Sequence, residues 1–267
     1  MANAKASERE GSSTARHRVP RWLKMTGFVV LSALAIAVGA FLAWALTPLG
    51  PEPTALRALE GSSAVSVEKT SGGYEFVPRS TEPSVGLVIY PGGRVDARSY
   101  APLAMEIAER GYLVVITPMP LSLAVFSPNA AAKVIDEHPE VRSWAVGGHS
   151  LGGAMAAQYV ARNASSVDGL VLLAAYAPDG ADLSESDVQA LDLVGSRDGV
   201  LNQEVHAEAT SLLPSSTRAG VIDGGNHAQF GDYGPQPGDN EATIPAARQW
   251  LETADEVDEL LSAAAAH

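Results

Sequence analysis

The residues best suited to chemistry lie in the pentapeptide Gly-His-Ser-Leu-Gly at positions 148–152. Residues 144–147 before it have the apolar character of a strand, and residues 151–162 after it have the composition of a helix. A serine at a sharp strand-to-helix turn exposes its hydroxyl, and glycines two positions away on either side avoid collisions with the backbone. The spacing therefore predicts Ser150 as a nucleophile. The alternative is a glycine-rich turn without catalysis.

A serine hydroxyl needs a base, and His227 is the histidine best placed to provide one. It follows the last predicted strand in a glycine-containing loop, which can bring an imidazole over a nucleophile. The other five histidines lie in the N-terminal tail, at the C-terminus, in polar stretches or directly beside Ser150. The sequence therefore predicts His227 as the general base, with an ordinary surface histidine as the alternative.

The base in turn needs an acid that fixes its tautomer, and three aspartates compete for this role. Asp198 comes directly after a predicted strand, and it is our preferred candidate. Asp179 and Asp182 follow the preceding strand and remain rivals. An Asp-Gly turn without a catalytic role would also explain Asp198.

A tetrahedral intermediate requires two convergent N–H donors. The residue after the nucleophile, Leu151, supplies the first. The loop Pro-Gly-Gly-Arg at 91–94 follows another strand, and its glycines allow the backbone to approach a substrate closely. We assign the second donor to Gly93, with Arg94 as the alternative.

Apolar and aromatic residues in the loops predict the substrate-binding rim. The candidates are Met119, Phe126, Phe230 and Tyr233. They suit an acyl group, although loop packing would explain them equally well. Only about 14 residues separate Tyr176 from the next strand, too few for a helical cap that buries its own surface. The sequence therefore predicts an open site.

These side chains must be positioned by a sheet, and alternating strand and helix patterns predict a mostly parallel one with helices on both faces. Strands are expected at 64–69, 74–78, 85–90, 112–117, 144–148, 170–175, 191–195 and 218–223. The first two form an antiparallel hairpin. In such α/β sheets the ligand lies beyond the carboxyl ends of the strands, where the candidate residues occur.

The N-terminal region predicts a membrane anchor. Residues 27–46 are uncharged, and about 20 helical residues match the ~30 Å hydrocarbon core. We expect a disordered cytoplasmic tail at 1–25, a span at 26–46, a linker at 47–57 and one catalytic domain at 58–267. Bases concentrated before the span predict a cytoplasmic N-terminus and an extracytoplasmic domain. The alternative is a cleaved signal peptide, which would release a secreted protein.

Charge and composition exclude several classes of protein. The chain has a net charge of −13 and no cysteine, so disulfides and thiolate chemistry are excluded. Because the basic residues concentrate in the tail, the remainder is strongly acidic, and we expect no nucleic-acid partner. The predicted chemistry requires no cofactor and no metal.

Taken together, the sequence resembles the α/β-hydrolase superfamily, in particular its small members related to dienelactone hydrolases. The resemblance covers about residues 74–255 and rests on four blocks, at 90–93, 148–153, 195–199 and 225–230. It implies the chain order Ser, Asp, His for the catalytic residues and cleavage of a carboxylic ester or thioester. A cysteine nucleophile, as in some dienelactone hydrolases, is absent. The alternatives are a non-catalytic binding module and an acyltransferase with the same triad.

Overall fold

A computed structural model describes residues 21–266 of the chain. Two compact units divide at the boundary between Ala43 and Trp44, and each is described by itself. Most of the predicted cytoplasmic tail, residues 1–20, lies outside the described residues.

The N-terminal helix, α1, runs from Arg21 to Ala45. Its stretch Met25–Ala45 is long and apolar enough to cross a membrane, and most of its side chains are exposed. The helix begins five residues before the predicted span, because neither Pro nor Gly interrupts residues 21–26. The last five residues of the predicted tail are therefore helical.

An eight-stranded sheet forms the centre of the second unit. Its strands, in chain order, are β1 (Val65–Lys69), β2 (Tyr74–Pro78), β3 (Val85–Tyr90), β4 (Leu113–Ile116), β5 (Ser143–His149), β6 (Gly169–Leu173), β7 (Gln189–Gly195) and β8 (Arg218–Ile222). Their spatial order is β1-β2-β4-β3-β5-β6-β7-β8. β1 and β2 form the predicted antiparallel hairpin, β2 pairs antiparallel with β4, and the other neighbours are parallel. The predicted bounds differ from these by at most two residues.

Helices cover both faces of the sheet, as predicted. They are α2 (Pro53–Ala58), α3 (Ala101–Ala108), α4 (Ala130–Glu137), α5 (Leu151–Arg162), α6 (Gln203–Ala209) and α7 (Ala246–Ala264). One apolar core joins α3 and α7 to strand residues such as Leu87, and a second joins α4 and α5 to residues such as Val88. Because successive strand residues enter different cores, the central strands are continuous apolar runs rather than alternating ones.

The connection between β6 and β7 determines how open the site is. Residues 174–188 contain neither helix nor strand. The prediction that no sizeable cap is inserted here is confirmed.

The segment at 47–57, which the sequence predicts as a linker, is attached to the second unit. Leu49 bridges to the loop after β3, its N–H donating to the Arg94 carbonyl oxygen at 2.8 Å. Residues Pro53–Ala58 form α2, since proline is well tolerated in the first turn of a helix. The second unit therefore begins at Trp44 instead of at the predicted residue 58.

Candidate active site

Ser150 lies between the end of β5 and the start of α5, in a strained turn. Its φ of 53° and ψ of −123° are rare for a residue with a side chain. A Cβ atom on Gly152 would lie 2.2 Å from the Tyr90 carbonyl oxygen, and one on Gly148 would lie 2.6 Å from the same oxygen. The two glycines are therefore required by the close approach of this turn to the end of β3.

The predicted base and the predicted acid meet in the loops after β8 and β7. His227 Nδ1 lies 2.8 Å from Asp198 Oδ2, and their side chains are 1% and 0% exposed. Asp198 Oδ1 also accepts the N–H groups of Val200 and Leu201, each at 2.8 Å. Burial opposes ionisation of Asp198, but its hydrogen bonds to His227 and to these amides hold the pKa of the carboxyl below its usual value. The aspartate is thus ionised beside the imidazole.

The rival acids lie elsewhere. Asp179 and Asp182 are both exposed. Asp182 Oδ1 accepts the N–H of Ser184 at 3.0 Å, a local turn contact. Neither forms an ion pair with His227, whose partner is Asp198.

Ser150 and His227 line the same cavity. Its volume is about 290 Å³, and its other lining residues are mostly small or apolar: Leu151, Ala154, Ala174, Ala175, Tyr176, Val200, Leu201 and Asn202. His227 Nε2 is buried and has no hydrogen-bond partner among the described residues. The second ring nitrogen of the predicted base is therefore available to a hydrogen-bond partner.

The four residues predicted for the rim do not line this cavity. Phe230 and Tyr233 are 0% and 4% exposed and belong to the apolar core under α7, because the turn after His227 folds inward. Met119 is also buried, while Phe126 is 52% exposed. Phe230 and Tyr233 therefore fit the alternative that the sequence left open, in which these side chains pack in the protein core instead of contacting a substrate. Residues such as Tyr176 and Val200, which follow strands or the acid, occupy the lining instead.

The two predicted oxyanion donors lie together. A Cβ atom on Gly93 would be 3.1 Å from Leu151 Cδ2, so the loop after β3 lies against the first turn of α5. Among the described residues, the N–H groups of Gly93 and Leu151 have no protein acceptor. The N–H of Arg94 donates to the Ser122 carbonyl oxygen at 2.7 Å. Of the two candidates for the second donor, Gly93 and Arg94, only Gly93 therefore has an N–H that is available to a substrate.

A buried hydrogen-bond chain that the sequence does not reveal connects the nucleophile turn to this loop. The Tyr100 hydroxyl accepts the N–H of Gly92 at 2.9 Å and lies 2.8 Å from His149 Nδ1. Burial raises the pKa of Tyr100, and burial and the nearby His227 ring hold the pKa of His149 well below its usual value. Both groups are neutral, and they link the position beside Ser150 to the residue beside Gly93.

Two further residues hold together the loops that carry Asp198 and His227. Asp239 accepts the N–H of Ala228 with one carboxylate oxygen, at 2.8 Å, and the N–H of Gly199 with the other, at 2.9 Å. On α7, the buried Gln249 exchanges two hydrogen bonds with the backbone of Asn226. Asp239 lies in a Gly-rich loop, and its local sequence does not indicate that its side chain contacts the loops of Asp198 and His227. Gln249 could have been recognised as a polar residue on the apolar stripe of its helix.

A larger cavity of about 570 Å³ lies along the loops at 226–242 and includes neither Ser150 nor His227. Its size falls in the range typical of small-molecule sites. The strained Ser150, the paired imidazole of His227 and the N–H donor Leu151 all line the smaller cavity, and they favour it as the candidate site. Among residues 21–266, no group of three His, Asp or Glu side chains is arranged to hold a metal ion.

Comparison with known proteins agrees with this fold. The family model of the alpha/beta hydrolase family matches residues 86–251. Among solved structures, dienelactone hydrolase from Anabaena variabilis is 14% identical with a TM-score of 0.57, covering 75% of this chain and 98% of that one. A CIB-like hydrolase from Thermoplasma acidophilum is 15% identical with a TM-score of 0.52, covering 73% and 100%. A protein of unknown function from Agrobacterium tumefaciens is 16% identical with a TM-score of 0.52, covering 74% and 97%.

The family match covers more than half of the chain, and its bounds run from β3 to α7. The chain therefore belongs to the alpha/beta hydrolase family. This membership supports the interpretation that the protein is a hydrolase. The low identities to the solved structures establish likeness of fold alone. No curated protein matches the chain.

Proposed function

We propose that the protein is a serine hydrolase that cleaves a carboxylic ester or thioester through an acyl-enzyme on Ser150. The observation that supports this most strongly is the strained turn of Ser150, which shares a cavity with His227 while Asp198 pairs with Nδ1 of the imidazole. Positive φ costs free energy at a residue with a side chain, and at Ser150 it coincides with an imidazole in the same cavity that is paired with a buried carboxylate.

In the proposed mechanism, His227 Nε2 removes the hydroxyl proton as Ser150 Oγ bonds to the substrate carbonyl carbon. The carbonyl oxygen becomes an oxyanion and accepts the N–H groups of Gly93 and Leu151. The imidazolium, stabilised by Asp198, then gives its proton to the leaving alcohol or thiol as the carbon–oxygen or carbon–sulfur bond breaks. Water attacks the acyl-enzyme by the same route, releasing a carboxylic acid and restoring the serine.

The cavity supports a short acyl group as substrate. Its volume of about 290 Å³ lies just below the ~300–1,000 Å³ typical of small-molecule sites. Alanines at 154, 174 and 175 leave room beside Ser150, and no charged side chain lines the cavity. We expect turnover to fall as the acyl chain lengthens beyond the space available.

The N-terminal helix supports a single-pass anchor. Its stretch Met25–Ala45 matches a membrane in length and hydropathy, and the bases before it favour a cytoplasmic N-terminus. The catalytic domain would then be extracytoplasmic, with an acidic surface that disfavours nucleic acid. Fractionation with N-terminal sequencing of the mature protein tests this. A soluble product beginning at Leu46 would instead indicate a cleaved signal sequence.

Hydrolysis of p-nitrophenyl acetate, butyrate and octanoate by the full-length protein in detergent tests the reaction. We expect wild type to give a burst of p-nitrophenol followed by steady turnover, and Ser150→Ala to give neither. Ser165→Ala, an exposed serine in the turn after α5, is the matched control and should behave as wild type. Equal rates for wild type and Ser150→Ala would contradict the assignment. Turnover only in the presence of added alcohol would identify a transferase.

A further inference from the structure

The Arg94 side chain joins the loop that carries the oxyanion donor to residues 44–47, which precede the sheet. Its Nε donates to the Trp44 carbonyl oxygen at 2.9 Å, and its Nη2 donates to the Thr47 carbonyl oxygen at 2.7 Å. The guanidinium also lies over the Trp44 indole, 4.5 Å from the ring centroid. One side chain thus makes three contacts with this short segment.

The backbone of Arg94 is constrained as tightly as its side chain. Its φ of 59° is in the left-handed region, which disfavours a residue with a Cβ atom. Its N–H donates to the Ser122 carbonyl oxygen at 2.7 Å, and its own carbonyl oxygen accepts the N–H of Leu49 at 2.8 Å. The unusual conformation is therefore fixed by neighbours on both sides.

Arg94 is directly bonded to Gly93, so the contacts that hold Arg94 in place also limit how far Gly93 can move. An oxyanion donor is effective only when it is aimed at the position of the developing charge before the reaction begins. Loss of the contacts that hold Arg94 would free the loop at Gly93 and allow this N–H donor to move away from that position.

We propose that Arg94 is a positioning residue, and that residues 44–47 are the support against which it holds the Gly93 donor in place. This inference rests on the proposed function of Ser150 as an acyl-enzyme nucleophile. It gives residues 44–47, which include the last two residues of the membrane helix, a role in catalysis as well as in attachment. Cleavage after Ala45 would remove Trp44 and leave Arg94 with Thr47 as its only partner in the segment.

A role in folding alone would have a different signature. The two guanidinium hydrogen bonds are on the exposed side of the molecule, where polar contacts contribute little to the stability of the fold. Loss of the Arg94 side chain should therefore lower the rate of the chemical step far more than it lowers the melting temperature.

The experiment compares wild type with Arg94→Gln, Trp44→Ala and the double variant, all as full-length protein in detergent. Arg98→Gln is the matched control, because Arg98 is a nearby arginine whose side chain pairs with Asp96 instead of with residues 44–47. The measurements are kcat and KM for a short p-nitrophenyl ester, the inhibition constant of a trifluoromethyl ketone, which forms a tetrahedral adduct, and the melting temperature.

We expect Arg94→Gln to lower kcat about 10- to 100-fold with KM nearly unchanged, somewhat less than deletion of an oxyanion donor. Affinity for the ketone should fall by a similar factor. Trp44→Ala should lower kcat less, because the Trp44 carbonyl acceptor remains. The double variant should be no slower than Arg94→Gln, since both changes disrupt one contact.

Wild-type kcat in Arg94→Gln, or additive effects of the two changes, would overturn the inference while leaving the proposed function intact. A kcat loss in Arg98→Gln equal to that in Arg94→Gln would also overturn it. An inactive wild type that forms no ketone adduct would instead overturn the proposed function. If Arg94→Gln fails to fold, Trp44→Ala still decides: wild-type kcat in that variant contradicts the inference.

Discussion

Asp239 provides the sharpest test of how the triad is held, because its carboxylate touches the neighbours of both partners of Ser150. It accepts the N–H of Ala228, next to His227, and the N–H of Gly199, next to Asp198. Asp239→Asn keeps the shape but removes the charge and turns an amide N–H₂ toward one of these donors. Loss of one hydrogen bond to a charged group costs about 1.5–3 kcal/mol. If this loss appears in the transition state, kcat falls roughly 10- to 150-fold.

Steady-state hydrolysis of p-nitrophenyl butyrate by full-length Asp239→Asn measures this effect, with the melting temperature recorded in parallel. Asp232→Asn is the matched control: its carboxylate accepts the N–H of Ala55, which adjoins no catalytic residue. We expect the control to retain kcat within about twofold. A wild-type kcat in Asp239→Asn would refute the reasoning, as would an equal loss in both variants.

Three other perturbations probe the turn, the acid and a distant ion pair. Gly152→Ala should destabilise the fold by about 1–3 kcal/mol in chemical denaturation, because the added Cβ overpacks the turn. Gly180→Ala is the control and should not destabilise the fold, because no atom lies within 4 Å of its added Cβ. Equal effects of the two variants would contradict the packing argument. Asp198→Asn should lower kcat about 10³- to 10⁴-fold while the protein stays folded, and near-normal turnover would reassign the acid. The hydrogen bond to Asp192 raises the pKa of His206, so its contribution is fully present below about pH 6.5 and is lost as pH rises through the folded-state pKa. The melting-temperature difference between wild type and His206→Gln should therefore be largest near pH 5.5 and shrink by pH 9, and a difference that grows with pH would contradict this sign.

The elements of the fold were predictable because their causes are local. The central strands are apolar runs buried on both faces, and the turn at Ser150 requires glycine at two fixed positions. Both patterns can be recognised within a window of a few residues. The strand bounds and the nucleophile turn therefore agree closely between sequence and structure.

The acid and the supporting contacts depend on distant parts of the chain. Asp179, Asp182 and Asp198 all follow strands, and only the folded chain shows which one lies beside His227. The same reason explains the segment at 47–57: its attachment depends on pairing with the loop after β3, which the local Pro-rich sequence does not show. Proline and glycine there indicate an interruption of helix, but they do not distinguish a linker from a docked segment.

The predicted rim fails to line the cavity for a related reason. Aromatic side chains in a loop fit a substrate site or a core equally well, and burial decides between them. Phe230 and Tyr233 lie behind His149, with ring centroids 5.8 Å and 6.4 Å from it. Small residues such as Ala154 and Ala174 line the cavity instead, and nothing in their type marks them in the sequence.

The central claim is that Ser150 is the nucleophile, and covalent labelling tests it most directly. Full-length wild type and Ser150→Ala are treated with a fluorophosphonate, and the adduct is located by peptide mass spectrometry. The account predicts one adduct, on the peptide containing Ser150, in wild type and none in the variant. Equal labelling of the two proteins, or an adduct on a different residue, would contradict it.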